Sequence, residues 1–191
     1  MNIFSNNCIG GFLYEMMNIG KYNHPLYWTG MKTLDFIKFT EDYEKINLGD
    51  FTKIDYSESK FDGTFVCDQN KRRFNMPAIR LNNTDIQVRF GHESFENFDN
   101  MYSTRLSRYN KKDKTFFILS TWCVDYTDDM IYRFCADKNH YKILVIPNNK
   151  FNKSMNNEKL LIINSPKFIE DALKDNIYII KKFIYFGLYP T

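Results

Sequence analysis

The 191-residue sequence has few cysteines, few prolines and no long apolar run. Its four cysteines, Cys8, Cys67, Cys123 and Cys135, lie far apart and include no CxxC pair, so the spacing of a zinc finger is absent. No stretch approaches the ~20 apolar residues that a membrane-spanning helix needs. We therefore expect neither a transmembrane segment nor a bound metal.

Charge of one sign is lacking as well. Lys and Arg number 26 against 23 Asp and Glu, and the formal net charge of +3 is too small to indicate nucleic acid as a partner. The amino-terminal residues form no basic region, and the polar run Ser5-Asn6-Asn7 interrupts the apolar segment that a secretory signal needs. We therefore expect a cytoplasmic protein with reduced thiols.

Apolar and aromatic residues, in contrast, are abundant. The apolar share of 43%, with 18 Phe and 13 Tyr, excludes a disordered chain, and the length allows one domain with a sizeable core. Hydrophobic spacing predicts helices over 32–46, 94–111, 130–135 and 167–173, a hairpin of 77–81 with 86–90, and strands at 115–122, 141–146 and 160–163. The pattern predicts a single α+β or α/β domain over 1–191, with a mixed central sheet and flanking helices.

Two of these helices have a candidate capping residue in the sequence. Thr33 is expected to cap the helix over 32–46, and Thr127 or Asp128 the helix over 130–135. The apolar run over 177–186 is compatible with either a helix or a strand.

The beginning of the chain holds the candidate nucleophile. Cys8 follows a short apolar segment and a polar elbow, and it precedes Gly10, Gly11 and a helix-like run, so we expect it where a helix begins. Backbone N–H groups and the helix dipole at such a place favour an anion and lower the pKa of a thiol. The two glycines leave room for another backbone or a substrate. The alternative is that Cys8 is an inert, buried residue.

Two further residues complete a possible thiol-based site. His92 comes directly after the second hairpin strand, where it could take the Cys8 proton, and Asp125 follows the strand over 115–122, where it could orient the imidazole. The Asn7 side chain or the Cys8 backbone N–H could stabilise an oxyanion. Alternatively, His92 is a hydrogen-bonded residue near the core, and Asp125 a turn or cap residue.

Four residues are candidates for substrate binding. Tyr27 and Trp28 belong to an aromatic loop that Pro25 keeps out of a helix, and such rings could stack on sugars. Arg105 and Arg108 are three residues apart on a predicted helix, so they share a face and could clamp a phosphate or carboxylate. A solvated or salt-bridged arginine pair is the alternative.

Several of these motifs together resemble a known family. Six segments carry the resemblance: Ser5-Asn6-Asn7-Cys8-Ile9-Gly10-Gly11, Pro25 with its aromatic neighbours, Asp35-Phe36-Ile37-Lys38, His92-Glu93-Ser94-Phe95-Glu96, the Arg105 and Arg108 helix, and Asp125-Tyr126-Thr127-Asp128-Asp129. These segments are similar to the bacterial family known as domain of unknown function 1919. Its members are commonly called exopolysaccharide-biosynthesis proteins. The resemblance covers roughly residues 3–146 and extends to papain-like cysteine peptidases, which share the Asn-Cys and the Pro-aromatic-Trp segment.

The resemblance implies a function as well as a fold. It implies a papain-like arrangement in which Cys8 is the nucleophile, His92 the base and Asp125 the orienting residue, acting on an acyl group of a surface glycan or its precursor without a cofactor. One alternative is a sugar-nucleotide-dependent glycan transferase with Arg105 and Arg108 on the phosphates, although the sequence has no glycine-rich phosphate loop and no DxD motif. The other is a non-catalytic glycan-binding or accessory protein with a structural Cys8.

Overall fold

A computed structural model describes residues 1–18, 24–61, 77–90, 95–121, 126–147, 157–165, 167 and 169–186. In chain order its elements are β1 (Asn2–Ser5), α1 (Ile9–Met17), β2 (Thr29–Gly30), α2 (Thr33–Asp42), β3 (Phe51–Ile54), β4 (Ala78–Leu81), β5 (Gln87–Phe90), α3 (Phe98–Arg108), β6 (Thr115–Ser120), α4 (Asp128–Ala136), β7 (Tyr141–Ile146), β8 (Leu160–Asn164) and α5 (Ile169–Phe186). Short 3₁₀ turns lie at Tyr56–Glu58 and Phe95–Asn97.

The strands form two sheets. β1, β6, β7 and β8 form a parallel sheet in the order β1-β6-β7-β8, and β2, β5, β4 and β3 form an antiparallel sheet in the order β2-β5-β4-β3. The predicted hairpin of 77–81 with 86–90 is confirmed as the β4–β5 pair. The mixed α/β class is confirmed, with its parallel and antiparallel strands in separate sheets; the extent of the domain over 1–191 stays a prediction.

The parallel sheet separates two hydrophobic cores. Successive strand residues point to opposite faces, and accordingly Ile3, Ile118 and Val145 pack with α1 and α5, whereas Phe4 and Phe117 pack with α2 and α4. The second core also takes in the inner face of the antiparallel sheet and the buried side of α3. Both faces of the parallel sheet are therefore covered, which explains its continuous apolar strands.

Two local predictions are wrong. Lys32 rather than Thr33 occupies the cap position of α2, with no side-chain cap bond, and Thr33 is the first helical residue. The predicted helix over 167–173 and the apolar run over 177–186 are one helix, α5, because the polar residues between them lie on its outer side while Leu173 and Ile180 face the core. The predicted Thr127 cap is confirmed, since its side chain accepts a hydrogen bond from the Met130 N–H at 3.3 Å.

None of the described helices is long and apolar enough to cross a membrane. The segments over 62–76 and 148–156 lie outside the described residues.

Candidate functional site

Cys8 lies at the carboxyl edge of the parallel sheet. β1 ends at Ser5 and α1 begins at Ile9, so Cys8 occupies the cap position of that helix, as predicted, with φ −64° and ψ −3°. Its side chain is half-buried and in the thiol form. Ligand sites of parallel α/β sheets lie in the crevice beyond the carboxyl ends of the strands, which is where this thiol lies.

Neighbouring polar side chains bind the first amides of α1. The Ile9 N–H donates to Asn7 Oδ1 and the Gly10 N–H to Ser5 Oγ, each at 3.0 Å. The Gly11 N–H donates to the Cys8 carbonyl, also at 3.0 Å. The helix start predicted to favour an anion therefore has these three amides engaged within the chain. The Asn7 carboxamide oxygen is committed to capping, which leaves its NH₂ group as the part that could serve an oxyanion.

Gly10 and Gly11 permit close packing around Cys8. A Cβ atom at Gly10 would lie 2.7 Å from Ser5 Oγ, and one at Gly11 would lie 2.6 Å from the indole ring of Trp28. Both distances are too short for a real contact, so only glycine fits at either position without a shift of its neighbour. The space beside the two glycines, expected to admit a backbone or a substrate, is filled by the Ser5 and Trp28 side chains.

The aromatic loop packs against α1. Trp28 is half-buried, has a positive φ of 55°, and meets Phe12 edge-to-face at a centroid distance of 5.0 Å. Tyr27 is only 2% exposed, and its ring lies 5.4 Å from that of Tyr14. Burial favours a packing role for Tyr27 over sugar stacking, whereas Trp28 is partly exposed.

The two predicted arginines line one groove, although they differ in burial. Arg105 is 5% exposed, donates to the Tyr27 carbonyl at 3.1 Å and lies 5.7 Å from the centre of the Tyr27 ring, whereas Arg108 is exposed. Both line a groove of about 290 Å³ on α3, together with Asn97, Asn100, Met101 and Thr104. The shared face predicted from their spacing is confirmed; binding of an anion there stays a prediction.

His92 and Asp125 lie outside the described residues. The strands that precede them in the chain are described: β5 ends at Phe90, which pairs with Thr29, and β6 ends at Ser120, alongside β1. The proposed contact of either residue with Cys8 therefore stays a prediction.

His24, the other histidine near Cys8 in the sequence, is a core residue. It is fully buried, its Nε2 lies 2.8 Å from the Ile3 carbonyl oxygen, and its ring lies 4.3 Å from that of Phe4. Burial, with a smaller contribution from the charge of Arg105, lowers the pKa of His24 to about 3. The imidazole is therefore neutral and donates from Nε2 to the Ile3 carbonyl, which gives it a role in packing.

Sequence reasoning missed the importance of Asn6. Its Nδ2 donates to the Ser120 carbonyl at 3.0 Å and its Oδ1 accepts from the Ser120 N–H at 2.9 Å, while its own carbonyl accepts from the Met31 N–H at 2.9 Å. The buried side chain of Asn6 thus joins the ends of β1 and β6, and its main-chain carbonyl binds the exit of β2. The signal was a polar run placed directly after an apolar strand.

Comparison with known proteins supplies the family. No curated protein matches the chain. Within the described residues no group of three or more His, Cys, Asp or Glu side chains could hold a metal ion. The family model described as "Domain of unknown function (DUF1919)" matches residues 1–182, which includes every residue of the candidate site. The chain belongs to this DUF1919 family.

Proposed function

We propose that the protein is a cysteine-dependent hydrolase or acyltransferase in which Cys8 is the nucleophile. The observation that carries this proposal is the position of Cys8: a half-buried thiol at the start of α1, beyond the carboxyl end of β1. This place combines partial exposure with the positive end of a helix, and both favour a reactive thiolate.

The proposed reaction passes through a thioester. His92 takes the proton from Cys8, and Sγ attacks the carbonyl carbon of an ester or amide. The leaving alcohol or amine receives that proton from His92, and Asp125 orients the imidazole. Water or an acceptor hydroxyl, deprotonated by His92, then attacks the thioester, and the Cys8 thiol is restored.

The positions at which β1, β5 and β6 end support the proposed grouping of Cys8, His92 and Asp125. β1 and β6 are neighbours, and Asn6 joins their carboxyl ends through two hydrogen bonds to Ser120. The last residue of β5, Phe90, pairs with Thr29, next to the Trp28 ring that lies on Gly11. β6 therefore ends at a residue bound by Asn6, and β5 ends beside the chain neighbour of Trp28.

We propose an acyl group on a surface polysaccharide, or on its cytoplasmic precursor, as the substrate. The papain-like relationship and the link to polysaccharide come from the resemblance of the sequence motifs. Trp28 is partly exposed, and a sugar ring could stack on the exposed part of its indole.

A second candidate is a glycan transferase that uses a sugar nucleotide. The α3 groove favours it, because Arg105 and Arg108 line the same concave surface and could bind a diphosphate. Binding of a uridine diphosphate sugar to the wild type, lost in Arg108→Gln, together with full activity of Cys8→Ser, would support this alternative against the thiol mechanism.

The deciding experiment is the pH dependence of iodoacetamide alkylation, followed at each cysteine by mass spectrometry. Cys135 is the internal reference, because burial raises the pKa of its thiol to about 11 despite the nearby Lys142 charge. We expect Cys8 to react as a thiolate that titrates well below the ordinary value of ~8.5, and to lose this behaviour in His92→Ala.

His140→Ala is the matched control, since it removes a half-buried imidazole from the turn before β7. It should leave the titration of Cys8 unchanged. A Cys8 that reacts as slowly as Cys135, or one that is indifferent to His92→Ala while the thermal unfolding midpoint is unchanged, would overturn the proposal.

A further inference from the structure

A cavity of about 590 Å³ opens at the amino edge of the parallel sheet. It is lined by the end of α2, the turn before β6 and the turn before β7: Tyr43, Glu44, Lys111, Lys112, Asp113, Lys114, Thr115, Asn139, His140 and Tyr141. Because the strands are parallel, this edge is opposite to the one at which Cys8 lies. The cavity is therefore separate from the proposed thiol site.

Three lysines line this cavity, and two are held in place without a carboxylate. Lys111 Nζ donates to the Glu44 carbonyl and, at 3.2 Å, to the Ile46 carbonyl. Lys114 Nζ donates to the Ile184 carbonyl at 3.1 Å and lies 4.4 Å from the centre of the Tyr141 ring. Carbonyl oxygens and ring faces fix these ammonium groups without neutralising them.

The carboxylates of the cavity only partly offset these charges. Asp113 pairs with the amino group of Met1 at 2.7 Å, and Glu44 Oε1 lies 3.9 Å from His140 Nε2. Lys112 is exposed and has no ion-pair partner among the described residues. Three lysines thus line the cavity together with two carboxylates, and one of these, Asp113, is already paired with the Met1 amino group.

Polar and aromatic groups form the remaining wall. The Tyr43 hydroxyl lies 2.7 Å from that of Tyr109 and 3.3 Å from Thr115 Oγ1. Behind Thr115, Asn2 is fully buried and its Oδ1 has no hydrogen-bond partner among the described residues. Tyr43, Thr115 and Asn139 are therefore the groups of the cavity that could meet the hydroxyl groups of a ligand.

We propose that this cavity binds a small phosphate monoester with a polyhydroxylated body, such as a sugar phosphate. The phosphate carries about −1.5 to −2 charges at neutral pH and would lie among the three lysines. The hydroxyl groups would meet Tyr43, Thr115 and Asn139. The volume is within the roughly 300–1,000 Å³ range of small-molecule sites.

The partial burial of Lys114 makes the proposed binding of an anion dependent on pH. Burial lowers the pKa of Lys114 from its ordinary value, so its ammonium form is held at some cost in the unliganded protein. A phosphate beside Nζ would stabilise the charged form. Binding should therefore weaken as the pH rises toward the lysine range.

The test is isothermal titration calorimetry of the full chain with glucose 6-phosphate, and with glucose as the ligand that lacks the anion. We expect binding of the phosphate ester only, and a dissociation constant about tenfold higher in Lys112→Gln, the loss corresponding to ~1.4 kcal/mol for one removed charge. The Lys112 side chain is exposed and makes no hydrogen bond or ion pair with the described residues, so this variant should fold normally. Lys114→Gln is the second variant.

Two matched controls remove an exposed arginine elsewhere. Arg80→Gln alters the antiparallel sheet and Arg108→Gln the α3 groove, and both should leave the dissociation constant unchanged. Absence of binding in the wild type, equal binding of glucose, or a loss confined to Arg108→Gln would overturn the proposal. The last result would assign the phosphate to α3 instead.

Discussion

At the carboxyl edge of the parallel sheet uncharged side chains bond the backbone, whereas at the amino edge lysine ammonium groups do so as well. Ser5, Asn6 and Asn7 bind the ends of β1, β6 and α1 through neutral hydrogen bonds. At the opposite edge, Lys142 and Lys111 donate their ammonium groups to main-chain carbonyls.

This difference matters for what each edge could do. Neutral caps position Cys8 without placing a fixed charge beside it, so a thiolate there would depend on the helix dipole and on a histidine. Lys142 is paired with Asp137, whereas Lys111 is bound to main-chain carbonyls and keeps the positive charge that the proposed anion site needs. We therefore propose covalent chemistry at the first edge and anion binding at the second.

The largest effect should come from removing the buried charge at the amino edge. Lys142 is fully buried, donates to the Phe134 carbonyl at 2.7 Å and pairs with Asp137 at the same distance. Lys142→Met should lower the free energy of unfolding by about 3 kcal/mol, because it leaves a partly buried carboxylate and a carbonyl without their cation. Urea unfolding measures this loss.

Lys138→Met, on the exposed part of the same turn, is the control and should change stability little. The double variant Lys142→Met with Asp137→Asn should recover part of the loss, since the unpaired charge is then absent. A double variant as unstable as the sum of the two single variants would contradict the ion-pair interpretation.

At the carboxyl edge the next effect is expected for Asn6→Ala. This change leaves the buried Ser120 N–H and carbonyl without the bonds that Asn6 supplies, so it should cost about 2 kcal/mol. Asn47→Ala removes an exposed side chain that, among the described residues, bonds only the Gly49 N–H, and it should cost much less. Equal costs in urea unfolding would show that Asn6 does not hold the strand ends together.

Gly11→Ala should have a smaller effect, near 1 kcal/mol, because the new methyl group displaces the Trp28 indole against a gain in helix propensity. A double-mutant cycle with Trp28→Gly tests the contact, since that variant removes the ring and also relieves the positive φ of Trp28. Gly11→Ala should be neutral or stabilising in the Trp28→Gly background. An unchanged cost there would exclude the contact.

The smallest effect concerns acid. Burial alone would raise the pKa of Asp137, but hydrogen bonds from Lys142, the Asn139 N–H and His140 outweigh it and lower the pKa. The folded protein therefore binds fewer protons at this carboxyl than the unfolded chain, and the stabilisation, present above pH ~4, is lost as the pH falls through the lowered value.

The free energy of unfolding should accordingly decline less between neutral and acid pH in Asp137→Asn than in the wild type. The exposed Asp129→Asn is the control and should follow the wild type. An identical dependence of stability on acid pH in all three proteins would show that the Asp137 carboxyl does not contribute to it.

Much of the local structure follows from local patterns. Alternating apolar residues gave β4 and β5, the continuous apolar runs gave β6, β7 and β8, and the polar elbow before Gly10 gave the start of α1 at Cys8. These features depend on residues within a few positions of one another. The sequence pattern predicts two segments where the structure has the single helix α5. The reason is that Lys174, Asp175 and Asn176 interrupt the apolar residues in sequence but lie off the core-facing side of the helix.

The sequence by itself determined the class of the fold, the placement of Cys8 at a helix start and the shared face of Arg105 and Arg108. Only the tertiary structure decided that β1 lies beside β6, more than a hundred residues away, that Asn6 joins their ends, and that Trp28 fills the space over Gly11. It also brought the turns before β6 and β7 together into one cavity. The reason is physical: periodicity records which face of an element is buried, whereas the partner of that face depends on packing between distant segments.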